Sequence, residues 1–127
     1  MPSRSPLWGP PDEDEAVEAL IELAEDDWMD IGALVFEVGR RLPGSSSLRK
    51  FVHALGELAG VLMDHGVVPG DLGMEPDMQP WPGTRQERVD RIVREALALD
   101  RIPSPTEIAW FYYLPDHDPR LIGRTEN

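Results

Sequence analysis

Three histidines, His53, His65 and His117, are the side chains of this 127-residue chain best suited to acid–base work or to holding a metal ion. They stand far apart. His53 precedes Glu57 by four residues, His65 follows Asp64, and His117 lies between Asp116 and Asp118 on a Pro-flanked stretch. No His-x-x-x-His or His-Glu-x-x-His spacing sets two of them on one helix face. Asp12 and Asp14 begin like a calcium loop, but the glycine and glutamate that such a loop needs do not follow. Cysteine is absent, which excludes disulfides, thiolate metal sites and thiol nucleophiles. The serines sit in the first residues, at Ser45–Ser47 and at Ser104, where turns and helix caps use a hydroxyl. No Gly-x-Ser-x-Gly elbow, phosphate loop or dinucleotide fingerprint is present. The reading is of a non-catalytic protein with no cofactor and no metal.

Charge is the second chemical resource. Acids outnumber bases 24 to 12, a formal net charge of −12. Eleven of those acids, and no base, fall between Asp12 and Glu37. Glu15, Glu18, Glu22 and Glu25 recur at spacings of three and four, so they share one helix face and have no cation in the helix to pair with. Such a ridge either keeps the protein soluble and complements the helix dipole, or steers a basic partner onto itself. The bases Arg40, Arg41, Arg49 and Lys50 form the one basic concentration outside the fourth helix. They either contact phosphates or complement a helix end and neighbouring acids. A chain of this charge repels nucleic acid at long range.

These groups are placed by a chain that reads as mainly α, with about five helices and a short β-hairpin-like excursion. Residues 1–11 form a Pro-rich arm whose Trp8 either pins it to the core or stands as an exposed anchor. Residues 12–114 read as a single mostly helical domain and 115–127 as a tail. The first helix is expected from Asp12 to Glu25, burying Val17, Leu20, Ile21 and Ala24. The second runs from Trp28 to Arg41 behind an Asp27 N-cap, with Ile31, Leu34, Val35, Val38 and Leu42 inward. The third follows Ser45–Ser47 and ends near His65, before Gly66. Its Gly56 and Gly60, four apart, let another helix approach closely, as core packing or as a dimer seam. Val67-Val68 and Met78–Trp81 are short strands kept peripheral by Pro76, Pro80 and Pro82. Thr84–Glu87 is a capping box that starts a fourth helix reaching Leu99. Ser104–Glu107 is a second box, expected to start a short helix over Pro105–Tyr113, although the aromatic run Trp110–Tyr113 also suits a strand.

The order of three helices, a short connection at Leu42–Ser47 and a two-strand excursion resembles a helix-turn-helix with a wing. That resemblance covers Asp12–Trp81 and implies DNA binding through Arg40, Arg41, Arg49 and Lys50. Asp27-Trp28, the stretch Gly66–Leu72 and Glu107–Phe111 resemble small acidic helical proteins of GC-rich bacteria, a likeness that brings no function. No signal-peptide core precedes Pro11 and no apolar run approaches the ~20 residues that span a bilayer, so the expectation is a cytoplasmic protein without a membrane. The leading expectation is an acidic inhibitor, immunity or antitoxin-like protein that masks a basic partner surface. Its contact residues would be Glu15, Glu18, Glu22, Glu25, Asp26 and Asp27, with Trp8 or Trp81 as apolar anchors. The alternative is a winged-helix-like transcriptional regulator.

Overall fold

The computed structural model describes residues 7–72 and 78–114. Its elements run α1 (Glu15–Asp26), β1 (Met29–Asp30), α2 (Ile31–Arg41), α3 (Leu48–Met63), β2 (Val67–Leu72), β3 (Met78–Pro80), α4 (Arg85–Leu99) and β4 (Trp110–Tyr113). The chain is mainly helical, with four helices among the described residues where about five were expected.

Each helix starts where a side chain can satisfy its free N–H groups. Asp14, not Asp12, caps α1, accepting from the N–H groups of Ala16 and Val17 at 3.2 and 3.3 Å. Asp30 rather than Asp27 caps α2, through the Gly32 N–H at 2.8 Å. The shift has a cause: Met29 and Asp30 pair with Phe111 and Trp110 of β4, so the helix cannot begin until the strand has ended. Ser47 caps α3, and Thr84 with Glu87 forms the expected box on α4.

Helix α3 is the centre of the molecule. Val52, Leu55, Leu58, Ala59 and Leu62 are fully buried. On its other side α4 lies directly against Gly56 and Gly60. A Cβ at Gly56 would stand 2.7 Å from Val93 Cγ2, and one at Gly60 would stand 2.6 Å from the Arg85 guanidinium. These glycines serve packing within the chain.

The expected helix over Pro105–Tyr113 is corrected to a turn followed by a strand. Half of the second box forms locally: Ser104 donates its N–H to Glu107 Oε1 at 2.7 Å, while the Glu107 N–H donates to the Ser104 carbonyl. Arg101 then holds the Glu107 carboxylate with two bonds of 2.7 Å, which lowers its pKa to about 2. Ile108 takes φ +68°, a left-handed conformation that stops a helix after one turn. The aromatic run beyond it enters the middle of an antiparallel sheet ordered β1-β4-β2-β3. There Val67–Gly70 pair with Tyr113–Trp110, and Phe111 is fully buried. The excursion after α3 is a true hairpin, with Gly70 opposite Pro80. Beside the winged-helix element order, two features differ from that expectation. A strand from beyond α4 sits between β1 and the hairpin, and α4 covers α3 along its glycines.

Candidate functional site

Helix α1 carries its ridge as the spacing implies. Its apolar stripe, Val17, Leu20 and Ala24, is buried. Glu15, Glu18, Glu22, Glu25, Asp26 and Asp27 are all exposed. No described cation forms an ion pair with any of these six. Among the described residues the Asp27 carboxylate accepts the adjacent Trp28 N–H, at 2.7 Å. The helix dipole accounts for half of the ridge at most. Glu15 and Glu18 lie in the favourable first turn, but Glu22, Glu25 and Asp26 crowd the end where the dipole favours cations, and no base lies in the last turn.

Both tryptophans are inside: Trp8 pins the arm to the core, one of the two readings the sequence left open, and the assignment of either as a surface anchor is corrected. Trp8 is 2% exposed and its indole N–H donates to the Ala54 carbonyl at 3.2 Å. Trp81 is 1% exposed; its indole N–H donates to Asp71 Oδ1 at 2.9 Å, and the Arg91 guanidinium covers its ring at 3.7 Å. A buried ring with its N–H satisfied has nothing to offer a partner. The exposed apolar groups beside the ridge are others: Leu23, 49% exposed and flanked in sequence by Glu22, and Trp28, 38% exposed and next to Asp27. Trp28 was assigned to a helix by pattern alone. Its place just before a two-residue strand could not be read without the β4 pairing.

The four bases around the α2–α3 turn are not one patch. Arg41 is structural. Its guanidinium binds Asp14 through contacts of 2.9 and 2.5 Å, donates to the Leu7 carbonyl at 2.6 Å, and lies 4.6 Å from the Trp8 ring centre. Asp14 also accepts the Gly9 N–H at 3.0 Å. This clasp locks the arm onto the start of α1. The Arg41 guanidinium holds the Asp14 carboxyl well below the usual carboxylate range, outweighing the opposing effect of burial. Arg40 pairs with Glu37 at 3.1 Å. Arg49 and Lys50 remain exposed on the first turn of α3, with no carboxylate partner among the described residues.

A groove of about 780 Å³ runs between α3, α4 and the arm and holds His53, Glu57, Asp64, His65, Arg85 and Arg94. Asp64 and Arg85 are paired across it at 2.7 Å. Among the described residues no three His, Cys, Asp or Glu side chains are placed to hold a metal ion. His117 and its flanking aspartates lie outside the described residues. No described helix is long and apolar enough to cross a membrane.

Sequence periodicity gave no sign of Arg88. It sits on the inner face of α4, fully buried, with Nε donating to the Trp81 carbonyl at 3.1 Å. Burial lowers its pKa to about 10. With Asp14, Arg88 is one of two buried charged residues named here, and both hold tryptophan-bearing segments in place.

No protein-family model matches the chain, and no curated protein or solved structure matches it either.

Proposed function

We propose that this is a non-catalytic protein-binding module, an acidic inhibitor, immunity or antitoxin-like protein acting in the cytoplasm, whose α1 face masks a basic surface of its partner. The observation that carries the reading is the carboxylate set at the C-terminal end of α1. Glu22, Glu25 and Asp26 repel one another, oppose the helix dipole and have no described cation to neutralise them. Folding alone gives no use for that arrangement, whereas a cationic partner relieves it on contact. Leu23 and Trp28 take the anchoring role first assigned to Trp8 and Trp81, because an interface of this type centres on partly exposed apolar side chains within a charged rim.

The test is capture from native lysate by the wild-type chain and by a Glu18→Lys/Glu22→Lys variant. A basic protein that is retained by the wild type and lost or slowed by roughly tenfold or more in the variant supports the reading. Undiminished capture of the same protein by the variant defeats it.

One observation favours a second reading. Arg49 and Lys50 are exposed at the start of α3 and free of carboxylates among the described residues, which supports phosphate contact by a winged-helix-like regulator. Sequence-selective DNA binding at low salt that disappears on Arg49→Ala/Lys50→Ala would place this reading first.

A further inference from the structure

The groove between α3, α4 and the arm is bounded along its length. At one end Arg85 binds Asp64 at 2.7 Å, and its guanidinium lies 2.6 Å from the point where a Cβ of Gly60 would be. At the other end stands the arm, held by the bond from the Trp8 indole to the Ala54 carbonyl, next to His53. Eleven residues of α3 separate His53 from Asp64, which sets the length at about 16 Å. A volume of about 780 Å³, bounded at both ends, suits a small molecule and not a helix passing through. Its floor is aliphatic. Val61, Val89, Val93 and Leu97 line it, and each keeps part of its surface exposed.

The charges on its walls are unevenly used. The acids are taken: Asp64 by Arg85, Asp90 by the Gln86 amide at 2.8 Å, and Glu57 also has a partner. Of the four arginines of α4, Arg85 binds Asp64, Arg91 binds Glu95 at 2.7 Å, and Arg88 is buried against the Trp81 carbonyl. Arg94 is different. Its spacing of four from Asp90 offers it a partner, yet Asp90 takes Gln86, and no described carboxylate pairs with Arg94.

Helices α3 and α4 run antiparallel, since Gly56 meets Val93 while Gly60 meets Arg85. Arg94 therefore belongs to the same end as His53 and the arm. An exposed arginine and a histidine stand there at the head of an aliphatic trough. In a chain with 24 acids and 12 bases, a cation left without a described carboxylate at such a place marks a seat for an anion brought from outside.

We propose that this groove binds a medium-chain alkyl carboxylate. Its head group sits on Arg94 beside His53, and its chain runs along the valines toward the Arg85–Asp64 pair. The head supplies the anion that Arg94 lacks, and the chain removes exposed methyl groups from water. The inference stands apart from the function proposed for α1, because it uses neither that helix nor its carboxylates.

Titration of sodium decanoate into the full chain, followed by methyl and indole NMR, tests it. The expected result is saturable one-to-one binding, with shifts centred on Val61, Val89, Val93 and the Trp8 indole. Arg94→Gln, at an exposed position, should raise the dissociation constant by about tenfold or more with helicity unchanged. Acetate has the head without the chain, and decanol the chain without the head. Each should bind at least about tenfold more weakly than decanoate. No saturable shift at millimolar decanoate, shifts centred outside the groove, decanol or acetate binding as tightly as decanoate, or undiminished binding by Arg94→Gln overturns the proposal.

Discussion

Along α4, cations and anions alternate in the sequence, and several of them are bonded in the structure. Gln86 donates to Asp90 at 2.8 Å, Arg91 to Glu95 at 2.7 Å, and Glu87 folds back onto the Thr84 N–H at 2.8 Å. Arg85 crosses to Asp64 on α3. Along α1 the sign never alternates, and the exposed carboxylates from Glu15 to Asp27 have no described cation against them. Both helices are amphipathic and both are capped; α1 buries an apolar stripe, and α4 buries Ile92 and Ala96 together with Arg88. Mixed signs let a helix pair within itself, whereas the single sign along α1 leaves its carboxylates without a described cation, which is the basis of the proposal that a basic partner binds there.

The largest expected effect comes from Asp14, the acid that caps α1 and binds Arg41. Asp14→Asn removes the bond set joining the arm, α1 and Arg41, and leaves Arg41 half-buried without its anion. We expect a loss of about 3 kcal/mol in chemical denaturation. The sign of the pH effect follows from the lowered native pKa of Asp14. The unfolded chain takes up the proton first as pH falls. The stabilisation is therefore complete above the ordinary carboxylate pKa of about 4 and is lost progressively below it. Thermal melts of the wild type should show this acid limb, and the Asn variant should show a weaker one. Equal limbs would mean that the clasp does not hold the arm.

A smaller effect is expected within the self-paired helix. Arg91→Ala uncovers the Trp81 ring and frees Glu95, at a cost of about 1–2 kcal/mol. Tryptophan fluorescence of the native variant should shift to the red. An unchanged spectrum and midpoint would show that the guanidinium over the ring adds nothing, and would narrow the contrast with α1.

Much of this was legible from residue order, for reasons that can be named. Ser47 and the Thr84–Glu87 box fix the starts of α3 and α4 because a cap is a local event within four residues. The ridge was legible because spacing alone places residues on one face. What escaped depends on contacts distant in sequence. Asp27 and Asp30 are equal as caps until β4, some eighty residues later, draws Met29 and Asp30 into the sheet. The Ser104 box reads like the one at Thr84 in sequence, but only its Glu107-to-Ser104 half forms, Ile108 turns left-handed and the aromatic run finds strand partners on both sides. Trp81 looked like an anchor and Trp8 left pinning and anchoring open, because aromatic residues near prolines carry no periodic signal. Their burial requires Arg41, Asp71 and Arg91, which no spacing rule connects to them. Arg88 lies within a helical stripe whose other members are apolar, and charge alone would have put it outside.

The contrast between the two helices reduces to whether the α1 carboxylates serve the fold or a partner. Glu18→Gln/Glu22→Gln/Glu25→Gln answers this with two readouts on one protein, a melting temperature and the salt-dependent association rate with the captured basic partner. We predict that the variant melts at the same or a higher temperature, because repulsion along α1 is relieved, while association slows by roughly tenfold and loses most of its salt dependence. A variant that melts lower, or that meets its partner at the wild-type rate with the wild-type salt dependence, would contradict the assignment of α1 as the binding face.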